Sequence, residues 1–390
     1  MGAPIAAGTM TRTGHGAQAP QEDLAAARAG ALLDIDLDAI RANYRLLRAR
    51  AGGAEVAGVM KADAYGLGMA QVAPALVLEG CRTFFTAHLD EGIRLRALVP
   101  ASSTIYVLHG PMPGTAPDFL AHDLVPVLND PGQVHEWTGA ARASRRRLPA
   151  AIQVDTGMSR MGLSPADLAG LGAPADWLAA LQPRLLMSHL ACADVPGHPM
   201  NAAQRARFEE LRALFPGVPC SLANSSAVFL DPAFHYDLVR PGAALYGINP
   251  QPEQPNPLRQ AVSLRARIVQ VRDVADGAAV GYGARWIAEG PRRIATIAIG
   301  YADGWLRALT NRGFAFVDGV RVPVAGTVSM DSVTLDVSAI PRERIAAGLA
   351  VELLGPHQHV DEVAAQAGTI GYEVLTRLGS RFHRRYRMAG

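Results

Sequence analysis

Residues 55–68 of the chain read EVAGVMKADAYGLG. An apolar run of strand length ends on a lysine, Lys61, and Tyr65, Gly66 and Gly68 follow at once. The same rhythm recurs downstream. TFFTA (83–87), TIYVLH (104–109), LVPVL (124–128), PAAIQVD (149–155), RLLMSHL (184–190), CSLAN (220–224) and YDLVR (236–240) are short runs with β-branched or aromatic content. Most of the intervening segments are amphipathic, as in NAAQRARFEELRALF (201–215). Strands that alternate with helices imply parallel βα units, and eight of them fit a closed (β/α)8 barrel of the TIM type. A doubly wound open sheet is the competing architecture, but no G-x-G-x-x-G follows an early strand.

On either side the texture differs. Residues 1–30 are rich in Ala, Gly and Thr without a clear period and read as a flexible leader, with no basic segment followed by an apolar one to suggest a secretory signal. ALLDIDL (31–37) is a short strand that could join the C-terminal domain, and Asp38 is placed to cap the helix after it. The barrel domain then runs over 31–257, where QPEQPNP (251–257) reads as a linker. Residues 258–390 carry alternating, turn-punctuated runs and form a mainly-β C-terminal domain, with a short helix pair before the basic tail RFHRRYRM. That tail is expected to be a solvated face.

Composition narrows the function classes. The chain has 390 residues, enough for two or three domains. A net charge of +2 gives no strong field for nucleic acid or membranes, and no apolar run approaches the ~20 residues of a membrane helix. Three cysteines, Cys81, Cys192 and Cys220, cannot build a disulfide framework and suit a reducing, cytoplasmic setting. Of the 37 basic residues, 36 are arginines and one is a lysine, Lys61. Arginine does not serve as a neutral amine, whereas a desolvated lysine does. The lone lysine is therefore the candidate for nucleophilic amine chemistry, above all a Schiff base.

In a barrel of this kind the active groups sit at the C-terminal strand ends. Lys61 emerges there from the first strand, where an amine can capture an aldehyde such as pyridoxal phosphate. The seventh strand runs into Asn224, Ser225 and Ser226, and the eighth into Arg240 and Gly242. Phosphate sites in this fold are often built from those two loops. The remaining histidines lack metal-ligand spacing, and His357 with His359 lacks a third ligand, so no metal is expected.

These residues resemble a known family. VMKADAYGLG, VDTGMSRMG (154–162), RPGAALYG (240–247), VGYGARW (280–286), IGYADGW (299–305) and SMDS (329–332) look like alanine racemase, in the right order over roughly residues 30–385. The resemblance implies a pyridoxal-phosphate barrel joined to a β domain, and a head-to-tail homodimer with shared active sites. It implies interconversion of L- and D-alanine, supplying D-alanine for peptidoglycan. Carried over by motif, Lys61 holds the cofactor and is one catalytic base. Tyr65, Ser225, Gly242 and Tyr372 hold the phosphate. Arg240 faces the pyridine nitrogen. Arg160 and the Met330 backbone meet the substrate carboxylate, and Asp331 shares the Met330 loop. Tyr282 is the second base, from the other subunit, and His189 lies between it and Arg240. Tyr301 and Tyr372 narrow the entrance.

The chemistry agrees with these roles. Inverting a stereocentre needs one base on each face of a planar carbanion. Lysine and tyrosine both have ordinary pKa values near 10, so both must be lowered to act near neutrality. Desolvation is expected to help Lys61, and a cationic neighbourhood from His189 and Arg240 to help Tyr282. One position departs from the family pattern. Where many members carry a carbamylated lysine, this chain has Gln153, and Gln153 or a bound anion such as chloride is expected to orient Arg160. A decarboxylase on the same two-domain plan is the competing enzyme. It would place an acid at the pyridine nitrogen and use a C-terminal cysteine, whereas Arg240 stands there and no cysteine follows Cys220.

Overall fold

The computed structural model describes residues 19–388. Seven parallel strands lie side by side: β3 (Gly58–Val59), β4 (Thr83–Thr86), β5 (Thr104–Val107), β6 (Val125–Leu128), β7 (Leu148–Gln153), β8 (Leu181–Met187) and β9 (Cys220–Ser221). They follow β1 (Ala31–Asp36) and β2 (Glu55–Val56) in the chain. The eighth barrel strand, β10 (Leu238–Val239), pairs in parallel with β2, which leads into β3 through Ala57. On its other side an Asn224–Arg240 bridge joins it to the β9 loop. The ring is therefore closed, and the open-sheet alternative is excluded. Strand interiors carry Phe84, Phe85, Ile105, Val107, Val127, Leu128, Ile152 and Leu186, all buried. Strands enclosed on both faces read as continuous apolar runs, which is why the eight runs were legible.

After the barrel come β11 (Val262–Val274), β12 (Ala279–Val280), β13 (Trp286–Ile287), β14 (Arg292–Ile297), β15 (Phe314–Val317), β16 (Val320–Pro323), β17 (Val333–Asp336), β18 (Ala350–Leu354) and β19 (His383–Arg387). The main sheet runs β16-β15-β18-β11-β1-β19, with β14 and β17 attached through β11. Thus β1, the first strand among the described residues, lies antiparallel to β11 and parallel to β19 inside this second sheet.

Several local expectations change. The helix Leu37–Ala51 is capped by Asp36, whose carboxylate accepts from Ala39 N at 2.8 Å, and Asp38 sits in the first turn instead. Of the expected leader, residues 1–18 lie outside the described residues, while Ala19–Arg28 forms a helix. Its sequence APQEDLAAAR is rich in alanine, the strongest helix former, and has proline near its start. The Arg267 guanidinium donates to the carbonyls of Ala26 and Ala29. Among the described residues no helix is long and apolar enough to cross a membrane.

The basic tail is not a solvated face. It forms β19, and its arginines have partners. Asp34 on β1, only 6% exposed, accepts two bonds from Arg385 at 2.7 and 2.9 Å and one each from Arg265 and Arg387. Burial acts to raise the Asp34 pKa, but the hydrogen bonds from Arg385 and Arg265 outweigh it and leave it below its ordinary value. A depressed folded-state pKa means this contribution is complete above about 3.9, the unfolded value, and is lost as pH falls through the folded one. Asp34→Ala should destabilise the protein by about 1.5–3 kcal/mol at neutral pH, the usual loss for hydrogen bonds to a charged group. Urea unfolding at pH 7 and at pH 3 measures this. A deficit that fails to shrink at the lower pH would contradict the clamp.

Candidate active site

A cavity of about 380 Å³ opens at the C-terminal mouth of the barrel. That lies in the range of small-molecule sites. Every barrel strand except β6 contributes to its wall at or near its C-terminal end, through Lys61, Ala87, His109, Gln153, His189, Asn224 and Arg240 among others. Lys61 is half-buried and its pKa is lowered, first by burial and then by the Arg160 charge, against an opposing effect of Glu91.

The backbone behind Lys61 is unusual. Ala62, Asp63, Ala64 and Tyr65 all have φ between 53° and 57°, so four consecutive side-chain-bearing residues form a left-handed turn. Each costs about 1–2 kcal/mol relative to right-handed backbone. The turn is tied at both ends. Glu91 Oε1 accepts from Ala62 N at 2.7 Å, and Asp63 Oδ1 accepts from Met69 N at 2.9 Å. Its effect is to bring Tyr65 back into the wall. The Tyr65 ring packs 4.9 Å from Tyr246 and 6.1 Å from Tyr372, and burial raises its phenol pKa far above the ordinary value, so it stays a neutral donor.

Opposite stands the loop expected to hold phosphate. Ser225 Oγ accepts from the backbone N–H of Gly242 at 2.9 Å and of Ala244 at 3.2 Å, which leaves the hydroxyl proton free to be donated. A Cβ at Gly242 would lie 2.2 Å from Tyr65 Oη, so only glycine lets this tyrosine in. Asn224 lines the cavity, but its polar atoms serve the loop: Oδ1 accepts from Ala227 N, and Nδ2 donates to the Leu190 carbonyl.

Arg240 is 5% exposed and lines the same cavity. It donates to Ser221 Oγ, to the Ser188 carbonyl at 2.6 Å and to His189 Nδ1 at 3.4 Å. Among the described ion pairs none joins Arg240 or Arg160 to a carboxylate. Burial pulls Arg240 down to about 9, which still leaves it charged at neutral pH. His189 is pushed well below its ordinary value by burial and then by Arg240, Arg160 and Lys61. It is neutral, which corrects the expectation that it adds positive charge. The Gln153 expectation changes too. Its Nε2 donates to the Met161 carbonyl at 3.2 Å, so it steadies the backbone beside Arg160 and makes no described bond to the guanidinium.

The remaining expected residues stand elsewhere. Tyr282, Tyr301, Met330 and Asp331 do not line the cavity of their own chain. All are on the C-terminal domain, with Tyr282 75%, Met330 53% and Tyr301 43% exposed. Gly300 lies so close to the 329–330 loop that a Cβ would meet the carbonyls of Ser329 and Met330 at 2.3 Å. Tyr301 N and Ala302 N donate to those carbonyls, and Arg381 bridges Asp303 and Asp331. Tyr301, Met330 and Asp331 are thus held together, while the Tyr282 carbonyl accepts from Thr327 Oγ1 at 2.9 Å.

Two residues on or behind the wall were not anticipated. His109 lines the cavity at the end of β5, edge-on to His88 with ring centroids 4.5 Å apart. Its pKa is lowered by burial, then by His88 and Lys61. The strand-end rule that singled out Lys61 would have found it, since TIYVLH ends on it. Glu91 is only 7% exposed, and nothing in its helical setting announced that burial.

A lone amine, a buried guanidinium without a counter-charge and a hydroxyl-lined loop at one barrel mouth define an enzyme that holds an anionic aldehyde cofactor. The residues fit pyridoxal phosphate: Lys61 for the aldehyde, the Ser225–Gly242 loop with Tyr65 and Tyr372 for the phosphate. The family model for the alanine racemase N-terminal domain matches residues 35–250, and that for its C-terminal domain matches 261–386. A catabolic alanine racemase of Mesorhizobium japonicum is 54% identical over 92% of this chain and 94% of its own. An alanine racemase of Methylobacterium nodulans is also 54% identical, over 92% and 96%. The crystal structure of alanine racemase from Bartonella henselae with covalently bound pyridoxal phosphate superposes with a TM-score of 0.89 at 38% identity, covering 92% of this chain and all of that one. The chain belongs to the alanine racemase family of pyridoxal-phosphate-dependent isomerases.

Gly242→Ala should weaken binding of pyridoxal phosphate about tenfold or more. The added methyl must displace Tyr65, and such overpacking costs about 1–3 kcal/mol. Equilibrium titration of the cofactor absorbance measures it. Unchanged affinity in a folded variant would show that the Tyr65–Gly242 contact does not shape the site.

Proposed function

We propose that the protein is a cytoplasmic homodimeric alanine racemase with two bases, Lys61 of one chain and Tyr282 of a second copy. The observation that carries this is the division of the site. The cavity holds one base and the phosphate loop, while the other base stands exposed with Tyr301, Met330 and Asp331 on another domain. A second copy turned head to tail would present that set to the cavity.

Bound pyridoxal phosphate supplies an aldehyde for an amino group and an electron sink for charge developing at the substrate α-carbon. The chain supplies the rest. Ser225 Oγ, Tyr65 and Tyr372 would hold its phosphate as donors. Arg240, charged at neutral pH, would face the ring nitrogen and disfavour its protonation. The cofactor held this way would supply a weaker electron sink, which disfavours decarboxylation. Arg160 and the Met330 N–H, which donates to no described group, hold the substrate carboxylate. Lys61, with its lowered pKa, exchanges the α-proton on one face at Nζ. Tyr282 Oη does so on the other.

The D-alanine is proposed to feed peptidoglycan. The catabolic name of the Mesorhizobium relative favours a second reading, consumption of D-alanine as a nutrient. A deletion strain that needs D-alanine in rich medium supports supply. One that loses only growth on D-alanine supports consumption.

With added pyridoxal phosphate, purified protein should convert L-alanine to D-alanine in a chiral assay, with L-serine, L-lysine and L-arginine much slower. Lys61→Ala should lose the yellow cofactor band, and Tyr282→Phe should keep it; each alone should be nearly inactive. Mixing the two should restore up to about a quarter of the activity, because a mixed dimer has one intact site. No recovery despite demonstrated subunit exchange would exclude a shared site.

A further inference from the structure

We propose that Glu91 is a positioning residue for Lys61, fastening the left-handed turn behind the lysine to the end of β4 and so fixing where the amine stands over the cavity. This rests on the reading that Lys61 is the amine that takes the cofactor.

Glu91 lies at the third position of the helix Leu89–Arg96 and does not line the cavity. Its carboxylate is buried and makes no described ion pair. It is held by three backbone donors instead: Ala62 N at 2.7 Å on Oε1, and Ala87 N at 2.8 Å and His88 N at 3.1 Å on Oε2. Ala62 is the residue next to Lys61 and the first of the four in left-handed backbone. Ala87 and His88 follow β4 directly. One carboxylate therefore spans two adjacent strand ends. Asp63 ties the far end of the turn to Met69, within the same loop, and Arg384 of β19 meets Gly66 just after it, so among the described residues Glu91 is the side chain that ties the turn itself to a neighbouring barrel strand. Four consecutive residues in strained left-handed backbone give the turn a strong tendency to relax if that anchor is lost. Relaxation would carry Lys61 towards water.

The groups facing Lys61 are Glu91 from the β4 side, His109 after β5, Arg160 after β7, His189 after β8, and the Tyr65 ring 6.0 Å from Nζ. Position and charge make opposite predictions. Removing the Glu91 charge alone would lower the Lys61 pKa, since that charge acts to raise it. Releasing the turn would raise it towards the ordinary value of about 10.4.

Because the chain has one lysine, full-length protein grown on [13Cε]lysine gives one lysine resonance. Its titration should show a higher Lys61 pKa in Glu91→Gln than in the wild type. Glu91→Asp keeps the charge but is one methylene too short to span both strand ends, so it should shift in the same direction. With pyridoxal phosphate, both variants should form the yellow band more slowly, and kcat should fall on the order of 10²-fold with little change in KM, as for a displaced reacting group. A lower pKa in Glu91→Gln with no change in Glu91→Asp would make Glu91 an electrostatic partner and overturn the proposal. A loss of thermal stability with an unchanged titration would also overturn it, leaving a structural role. A wild-type resonance that does not move on adding pyridoxal phosphate would instead overturn the reading beneath it.

Discussion

A guanidinium buried without a carboxylate is the constraint on which the site depends. Taking Arg240 out of water costs several kcal/mol, and its neutral partners, Ser221, the Ser188 carbonyl and His189, return only part of it. Because these partners sit on or just after β8 and β9 and Arg240 follows β10, the same bonds draw three strand ends together. Arg160 adds a second positive charge to the cavity wall. The excess explains the neighbours. After burial, which acts first, it helps to hold His189 neutral and to lower Lys61, and it suits a mouth proposed to receive a phosphate and a carboxylate together.

The barrel and the second sheet are joined by the first and last strands of the described residues, β1 and β19. Strand β1 sits beside β19 in the C-terminal sheet, with Asp34 gathering arginines from β11 and β19. Arg384, also on β19, donates to the Gly66 carbonyl at 2.6 Å, directly after the left-handed turn. The tail therefore bears on the loop that carries Lys61. A basic run that looks generic in sequence is a structural seam between the domains.

Much of this was legible beforehand. The eight apolar runs announced parallel strands because strands covered on both faces cannot alternate with polar residues. Lys61 stood out by composition alone, and the loops after β9 and β10 by their hydroxyls and glycine. Other features were out of reach. Nothing local in KADAY suggests four residues of left-handed backbone, since neither alanine nor tyrosine favours it; the distant carboxylate of Glu91, with Asp63 and packing, imposes it. The neutrality of His189 comes first from its burial and then from Arg240, 51 positions away.

The sequence by itself determined the order of the strands, the identity of the groups at their ends and the division into barrel and β domain. Those properties are written in local periodicity and residue chemistry. Only the tertiary structure decided that Asp34 meets Arg385 across 351 positions, that Gly242 exists to admit Tyr65, and that Tyr282 stands outside the cavity of its own chain. These are contacts through space, or their absence. No pattern along the chain encodes them, because they arise only when closure of the ring and pairing of β1 with β19 bring distant residues to one place.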